Sequence, residues 1–263
     1  MREKKTNLFS DFEILKEKVP DFKSPWKTAL IIIFGLLLFA GCFALVLWVD
    51  RLFWYGPLIT QLALATFGAF FYLEIVLNRK KIREKYLAKY GALAYRPFFY
   101  RHALPPLIPM FIGSLHPLFI SGPKLMPWWI ALPLGAFLVL TFLLSQRPAV
   151  TGEFDIKYHL WMYTIFPENA KLLRTGIYSI IRHQHYAFIF FGTLGFGILR
   201  NNLIAILCVL IYSLPFVFFA RLEEEELIER FGDDYRNYMK ETPAFFPQFK
   251  NILKFLRLIF GPQ

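Results

Sequence analysis

Cysteine is scarce in this chain, and long stretches of the sequence carry no charge at all. The two cysteines, Cys42 and Cys208, lie in the middle of such stretches, and neither belongs to a metal-ligand spacing such as Cys-x-x-Cys. A disulfide between them would have to form inside apolar surroundings, so we expect two small buried hydrophobic side chains. Internal repeats and low-complexity segments are not visible either. These absences argue against a disulfide framework, a cysteine metal site and a repeat architecture.

Apolar residues, in contrast, are in excess. Hydrophobic residues make up 56% of the 263 residues, and aromatic residues make up 19%. A soluble domain is roughly 45–50% apolar even when glycine is counted. A lipid bilayer explains the excess, because hydrocarbon solvates side chains that water rejects. The apolar segments run almost from end to end, which indicates one membrane-embedded unit.

Six long runs with almost no charge predict the membrane-spanning segments. They cover residues 29–49, 57–77, 104–120, 127–144, 186–199 and 203–220. At about 1.5 Å per residue, roughly 20 helical residues cross the ~30 Å hydrocarbon core. The fifth run is short and is joined to the sixth by the turn Arg200-Asn201-Asn202, so we expect a tight helical hairpin. The predicted fold class is an all-α integral membrane protein with about six transmembrane helices.

The distribution of basic residues sets the predicted topology. Lys and Arg in the segments before, between and after the six runs number 7, 1, 8, 1, 5, 1 and 7. By the positive-inside rule, this alternation places both termini, residues 78–103 and residues 145–185 in the cytoplasm. Topology and attraction to anionic lipid headgroups therefore explain the net charge of +11. We expect no nucleic-acid partner.

The predicted organisation has four parts. Residues 1–27 form a cytoplasmic N-terminal segment, and residues 28–175 form a four-span region with a basic cytoplasmic loop. Residues 176–247 form the C-terminal hairpin with its cytoplasmic tail, and residues 248–263 form a terminal tail. Along residues 223–240, apolar and aromatic side chains recur at a spacing that predicts an amphipathic helical face. The first apolar run is long enough to remain as an anchor, so we expect no cleaved signal peptide.

Two polar clusters lie at the predicted cytoplasmic ends of the hairpin. Arg182 and His183 open the fifth span, and Glu223 and Glu224 follow the sixth, so the hairpin brings the clusters close together. Carboxylates hold an ammonium group and favour a sulfonium, while Arg and His hold a carboxylate. The clusters therefore suit a zwitterionic ligand with a cationic centre. His183 and His185 point to different helical faces and have no further ligands nearby, so we expect no metal site.

The order and spacing of these residues resemble a known family. The pattern is Gly-x-Tyr-x-x-x-Arg-His-x-x-Tyr, an apolar hairpin, Glu-Glu-x-x-Leu-x-x-x-Phe-Gly-x-x-Tyr-x-x-Tyr, and a closing Pro-x-x-x-Pro. It is similar to the pattern of the isoprenylcysteine carboxyl methyltransferases and the related membrane phospholipid methyltransferases. The matching residues are Gly176, Tyr178, Arg182, His183, Tyr186, Glu223, Glu224, Leu227, Phe231, Gly232, Tyr235, Tyr238, Pro243 and Pro247.

The resemblance implies an all-helical membrane enzyme that binds S-adenosylmethionine from the cytosol and has a substrate tunnel open to lipid. Glu223, Glu224 and Arg182 are the catalytic candidates, and a tail over residues 231–247 is expected to cover the cofactor. The cofactor contacts that the resemblance implies are Tyr178, Arg182, His183, Tyr186, Glu223 and Glu224.

One residue departs from the family pattern. The proline that follows Arg-His in the family is Gln184 in this chain. Proline fixes its own φ and lacks an N–H, so it shapes the turn into the helix. Glutamine at this position leaves the residues that the resemblance assigns to the cofactor unchanged. It alters the residue that shapes the loop, and the activity depends on that loop.

The function implied is methyl transfer from S-adenosylmethionine to a lipidic or lipid-modified acceptor, such as an isoprenylcysteine carboxylate. A phospholipid amine and a small thiol are alternative acceptors. A carboxylate is ionised at pH 7 and needs no base, whereas an amine is protonated and needs one. Glu223 or Glu224 could act as that base if burial raised its pKa. The expected partners are the lipid bilayer and a lipophilic or prenylated substrate, and the sequence carries no signal for an oligomeric state.

Three interpretations of other classes stay open at this point. They are a non-catalytic scaffold that has diverged from the family, a membrane sterol reductase with a nicotinamide cofactor, and a transporter. Sterol reductases carry more spans than the six counted here. A transporter would place polar residues deep within several spans, whereas these spans are nearly free of deep charge.

Overall fold

The computed structural model describes residues 8–147, 150 and 160–261, and every regular element in these ranges is helical. This confirms the all-α prediction for the described residues. Residues 1–7 of the predicted N-terminal segment, residues 148–149 and 151–159 of the predicted loop 145–185, and residues 262–263 lie outside the described ranges.

Twelve α-helices are described, together with six short 3-10 turns and one π-helical turn. The α-helices are α1 Leu8–Lys18, α2 Pro25–Val49, α3 Gly56–Leu77, α4 Arg79–Tyr90, α5 Tyr95–Phe98, α6 Leu107–Leu115, α7 Trp128–Ser145, α8 Met162–Ile165, α9 Gln184–Arg200, α10 Leu203–Phe231, α11 Asp233–Glu241 and α12 Ile252–Phe260. The 3-10 turns are Pro20–Lys23, Gly91–Leu93, His116–Phe119, Pro167–Asn169, Gly176–Ser179 and Phe249–Asn251, and the π-helical turn is Phe99–Ala103.

Four of the described helices, α2, α3, α7 and α10, are long and apolar enough to cross a membrane. Helix α2 shows the physical reason most clearly. None of its residues is buried, and side chains such as Phe34 and Leu37 are 68% and 67% exposed. A continuous apolar surface of this kind is unfavourable in water and favourable in hydrocarbon. The protein is therefore a multi-pass membrane protein.

The third and fifth predicted spans lie on shorter helices. Helix α6 has only 9 residues, about 14 Å of helix. Pro105 and Pro106 precede it and Pro117 follows it, and proline lacks the N–H that would continue a helical ladder. Helix α9 has 17 residues, about 25 Å of helix. The count of six spans stays a prediction, and four of the six coincide with the long apolar helices.

The chain forms two compact units, and α3 and α6 contribute residues to both. The first unit consists of Met1–Leu52, Thr66–Ile112 and Glu153–Lys171. In its core, the buried Tyr95 hydroxyl donates a hydrogen bond to the Leu160 carbonyl at 2.8 Å. At its polar edge, the Arg96 guanidinium donates to both oxygens of Asp21, at 2.7 and 3.1 Å. A bidentate pair of this kind fixes the turn that precedes α2.

The second unit contains the C-terminal hairpin and the helix that packs on it. It consists of Phe53–Ala65, Gly113–Gly152 and Leu172–Gln263. Glycines let the backbones of α7 and α9 approach closely, as is common for helices that pack within a membrane. A Cβ atom on Gly195 would lie 2.9 Å from the Gly135 carbonyl oxygen and 3.0 Å from the Val139 nitrogen, both backbone atoms of α7.

The predicted hairpin between α9 and α10 is confirmed. Asn201 adopts a left-handed conformation with φ of 58°, which ends α9 and reverses the chain. Asn202 caps α10, because its side chain accepts a hydrogen bond from the Ala205 backbone N–H at 2.9 Å.

Helix α10 has 29 residues, about 44 Å, which exceeds the ~30 Å hydrocarbon core. Its apolar part ends at Ala220, and Glu223 and Glu224 lie on the charged remainder, beyond the predicted span over residues 203–220. The predicted amphipathic helix over residues 223–240 is divided in the structure. Gly232 separates the last turns of α10 from α11. Its φ of 56° and ψ of −131° form a non-helical conformation that residues with a side chain rarely adopt.

We predict that Gly195→Ala lowers stability by about 1–3 kcal/mol, the usual cost of overpacking a tight contact. The added methyl group would press on backbone atoms, which can move only if α7 and α9 separate. Thermal unfolding in detergent measures the change. Gly41→Ala is the matched control, because a Cβ there meets nothing within 4 Å. Equal melting temperatures for the two variants would contradict the close approach of the two helices.

Candidate functional site

The hairpin brings together the two polar clusters that lie apart in the sequence. Arg182 and His183 directly precede the first residue of α9, while Glu223 and Glu224 lie on the charged extension of α10. Because α9 and α10 are joined by a tight turn, the start of one helix lies beside the later part of the other. All four side chains are largely withdrawn from solvent, and their exposed fractions range from 3% for His183 to 16% for Glu224.

Glu224 is the centre of the cluster, because one of its carboxylate oxygens interacts with two cationic or titratable partners. Its Oε1 accepts hydrogen bonds from Arg182 Nη2 at 2.6 Å and Arg182 Nε at 3.2 Å. The same oxygen lies 2.9 Å from His183 Nε2. Burial by itself would raise the pKa of Glu224, but the hydrogen bonds from His183 and Arg182 outweigh it and lower the pKa. Glu224 is therefore an ionised carboxylate.

Glu223 has a different environment, although it is the adjacent residue. Its Oε2 lies 3.5 Å from His183 Nδ1 and is a buried oxygen that accepts no hydrogen bond from any described residue. Burial, together with the charges of Glu226 and Glu224, raises the pKa of Glu223 to about 8. Burying a carboxylate oxygen without a hydrogen-bond donor costs free energy. A cation or a donor beside that oxygen would offset this cost.

Arg182 directs most of its donors at the protein itself. Besides Glu224, its Nη1 donates to the Met239 carbonyl at 3.0 Å and to the Thr242 carbonyl. A guanidinium group has five N–H donors, and four hydrogen bonds to protein acceptors leave little capacity for a ligand. This geometry favours a positioning role for Arg182.

The segment that follows α11 lies directly against the cluster. The backbone N–H groups of Arg182 and His183 donate to the carbonyls of Pro243 and Ala244, both at 2.9 Å. The side chain of Phe245 lies over the His183 ring, with ring centroids 5.7 Å apart. The predicted tail over residues 231–247 therefore holds the start of α9 through its backbone.

The two predicted aromatic contacts join the site in different ways. Tyr186 stacks between the rings of His183 and Phe216, at centroid distances of 5.9 and 5.4 Å. The Tyr178 carbonyl accepts a hydrogen bond from the Tyr238 hydroxyl at 2.6 Å. The Tyr178 hydroxyl accepts one from Gln184 Nε2 at 3.2 Å.

Gln184, the residue at which this chain departs from the family pattern, lies at a helix position that also accepts proline. It is the first residue of α9, where a backbone N–H precedes the first hydrogen bond of the helix and proline is well tolerated. Its side chain is 1% exposed. The amide therefore links the Tyr178 turn to α9, a connection that a proline could not make.

Several neighbours of the cluster were not among the predicted site residues. Tyr235 is 2% exposed, and burial raises the pKa of its hydroxyl, with further contributions from Glu224 and Glu223. Its place in the Tyr-x-x-Tyr pattern was the available signal. Phe245 and the carbonyls of Met239 and Thr242 left no signal in the sequence, because any residue supplies a carbonyl.

The part of the chain that contains this cluster is similar to known proteins. Residues 134–234 match the phospholipid methyltransferase family. The protein-S-isoprenylcysteine O-methyltransferase of Xenopus laevis is 36% identical over 89 residues, which are 32% of this chain and 30% of that protein. The enzyme of the same name from Schizosaccharomyces pombe is 35% identical over 80 residues, which are 29% of this chain and 33% of that protein.

A relative with a different name matches a similar length of the chain. The nickel-cobalt-cadmium resistance protein NccN of Alcaligenes xylosoxydans xylosoxydans is 32% identical over 92 residues, which are 34% of this chain and 43% of that protein. The chain thus covers less than half the length of each of these relatives, and no solved structure is a significant match to it. Residues 134–234 are thus similar to the membrane phospholipid and isoprenylcysteine methyltransferases.

Proposed function

We propose that this protein is an integral membrane methyltransferase that uses S-adenosylmethionine and methylates a lipidic or lipid-modified acceptor, with an isoprenylcysteine carboxylate as the leading candidate. The family match and the names of two relatives support this reaction class. The proposed orientation has both termini and the site in the cytoplasm, which agrees with the alternation of basic residues along the sequence.

The observation that carries the proposal is the buried Oε2 of Glu223, which lies beside His183 and accepts no hydrogen bond from any described residue. S-adenosylmethionine supplies a methyl group on a cationic sulfonium together with an α-ammonium group. Glu223 is the residue best suited to lie against either cation, because a cation beside this oxygen would compensate its burial. His183 lies between the two carboxylates and is the second proposed contact, with Tyr186 stacked on its ring.

Arg182, Glu224 and Tyr178 have supporting roles in this proposal. Arg182 and Glu224 fix one another and connect the start of α9 to the carbonyls near residue 242. Tyr178 is placed by Gln184 and Tyr238. Methyl transfer requires that the nucleophile, the methyl carbon and the sulfur lie in line and that water be excluded. The low exposure of the cluster supports the exclusion of water.

A carboxylate acceptor fits the titration of the site. Glu224 is already ionised and paired, and the raised pKa of Glu223 leaves it mainly protonated at pH 7 before a cation is bound. Neither is a free base at neutral pH, and a carboxylate acceptor needs none. A phospholipid amine is the second acceptor class, supported by the match to the phospholipid methyltransferase family. For that acceptor, Glu223 would have to be ionised in order to remove the proton.

We propose no metal function, although one relative is named for metal resistance. The ranges that the structure describes contain no group of three or more His, Cys, Asp or Glu side chains that could hold a metal ion.

We predict that the affinity for S-adenosylmethionine rises as the pH passes through about 8 and levels off at higher pH. A cation binds the ionised form of Glu223, and the raised pKa keeps this group protonated below about 8. Glu223→Gln should abolish this dependence and weaken binding roughly ten- to hundredfold, as expected for a lost charge-assisted interaction. Calorimetry in detergent at several pH values measures both effects.

Glu225→Gln is the matched control for this experiment, because Glu225 is the adjacent acidic residue on α10 but is exposed. It should bind S-adenosylmethionine as the unmodified protein does. The assignment of Glu223 fails if Glu223→Gln and Glu225→Gln bind with equal affinity and the same pH dependence.

We also predict that Gln184→Pro folds, because the first position of a helix needs no N–H donor. The variant loses the hydrogen bond to Tyr178, so its free energy of unfolding should fall by no more than about 1 kcal/mol. Ala187→Pro is the contrasting variant, because the Ala187 N–H donates to the His183 carbonyl at 3.1 Å. It should lose about 3 kcal/mol. A Gln184→Pro protein as unstable as Ala187→Pro would show that Gln184 is required for the fold.

A further inference from the structure

The C-terminal helix α12 has three distinct faces, although it is only nine residues long. One face is buried against the second unit, where Phe255 and Ile259 are 7% and 0% exposed. The Phe255 ring stacks on Phe188 of α9 at 6.1 Å between centroids. Leu256 and Leu258 pack against the same core. This face explains why the helix is fixed in place, but it leaves Ile252, Leu253 and Phe260 exposed.

A second face of α12 is apolar and exposed. Leu253 and Phe260, seven residues apart, lie on the same side of the helix, and they are 68% and 40% exposed. Phe249, in the 3-10 turn that precedes α12, is 92% exposed, and Phe246 just before it is 56% exposed. In water, four large apolar side chains along one short segment would form an unfavourable patch.

The third face is basic. Lys254 and Arg257, three residues apart, share a side of α12, and Lys250 lies in the 3-10 turn that precedes the helix. Residues 246–261 contain no acidic residue. Lys254 donates to Ser179 Oγ at 3.0 Å, whereas Lys250 and Arg257 form no ion pair with any described residue.

From these faces we propose that α12 lies in the interfacial layer of the membrane and binds anionic phospholipid. In this arrangement, Phe249, Leu253 and Phe260 enter the acyl region, and Lys250 and Arg257 contact the phosphate groups. An apolar side next to a basic side is the arrangement by which amphipathic helices bind a membrane surface.

The neighbours of α12 favour lipid over a protein partner. The Phe260 ring stacks on Phe137 of α7 at 5.5 Å between centroids, and the Arg147 side chain donates to the Ile259 carbonyl. Helix α7 is one of the four helices suited to cross the membrane. Because α12 lies along the end of α7 that leads to Arg147, the bilayer that surrounds α7 reaches the exposed face of α12 without any further partner.

The position of α12 in the chain gives this contact a consequence for the candidate site. The helix follows residues 243–247, and the carbonyls of Pro243 and Ala244 hold the backbone of Arg182 and His183. Lipid binding by α12 therefore restrains the segment that lies against the site. This consequence rests on the proposed function, whereas the lipid contact itself does not.

Site-specific photocrosslinking in the full-length protein tests the lipid contact. A benzophenone amino acid replaces Phe249 or Leu253, and the protein is placed in nanodiscs of phosphatidylcholine with or without phosphatidylglycerol. The same probe at Phe218, which is 68% exposed on the spanning part of α10, is the positive control. The probe at Asn237, exposed on α11, is the aqueous control. Mass spectrometry identifies the adducts.

We expect lipid adducts at residues 249 and 253 and an enrichment of phosphatidylglycerol over phosphatidylcholine. Lys250→Glu with Arg257→Glu should lower the phosphatidylglycerol adducts several-fold, whereas Arg236→Glu with Lys240→Glu on α11 should leave them unchanged. Adducts to a second copy of the chain, or yields no higher than at Asn237, would overturn the proposal. Because no cofactor or activity is involved, this result is independent of whether the protein proves to be a methyltransferase.

Discussion

A single carboxylate oxygen, Glu224 Oε1, connects the parts of the molecule on which the candidate site depends. It accepts hydrogen bonds from Arg182 and lies within hydrogen-bond distance of His183, so it ties the start of α9 to the charged end of α10. Arg182 in turn reaches the carbonyls at the end of α11. Removing one partner of an ion pair this far from solvent is strongly destabilising, because it leaves a buried charge unpaired. The hairpin, the tail and the cluster therefore depend on each other.

This dependence separates the roles of two adjacent glutamates. Glu224 is held by Arg182 and His183 through its Oε1, whereas the buried Oε2 of Glu223 accepts no hydrogen bond from any described residue. Side chains on consecutive positions of a helix point about 100° apart, so one can face the protein while its neighbour faces a ligand. The same reasoning applies to Gln184, whose backbone takes the position of the family's proline while its amide supports Tyr178.

The sequence predicted the features that follow from periodicity, charge and pattern. The apolar runs predicted the helical membrane fold, and the turn at Asn201 predicted the hairpin that unites Arg182 and Glu224. The different states of Glu223 and Glu224 could not be predicted, because they depend on which donors surround each oxygen. The break at Gly232 and the carbonyls that bind Arg182 also depend on backbone conformation. The exposed face of α12 became recognisable only when the buried face was known.

We propose that this cluster supports methyl transfer to a lipid-modified carboxylate. The most direct measurement is the transfer of an isotope-labelled methyl group from S-adenosylmethionine to a prenylated cysteine and, separately, to phosphatidylethanolamine in nanodiscs. We expect a methyl ester on the prenylated cysteine that releases labelled methanol in base, and its formation should be strongly reduced in Glu223→Gln and retained in Glu225→Gln. A folded protein that methylates neither acceptor, or whose activity survives Glu223→Gln unchanged, would show that the cluster does not carry methyl transfer.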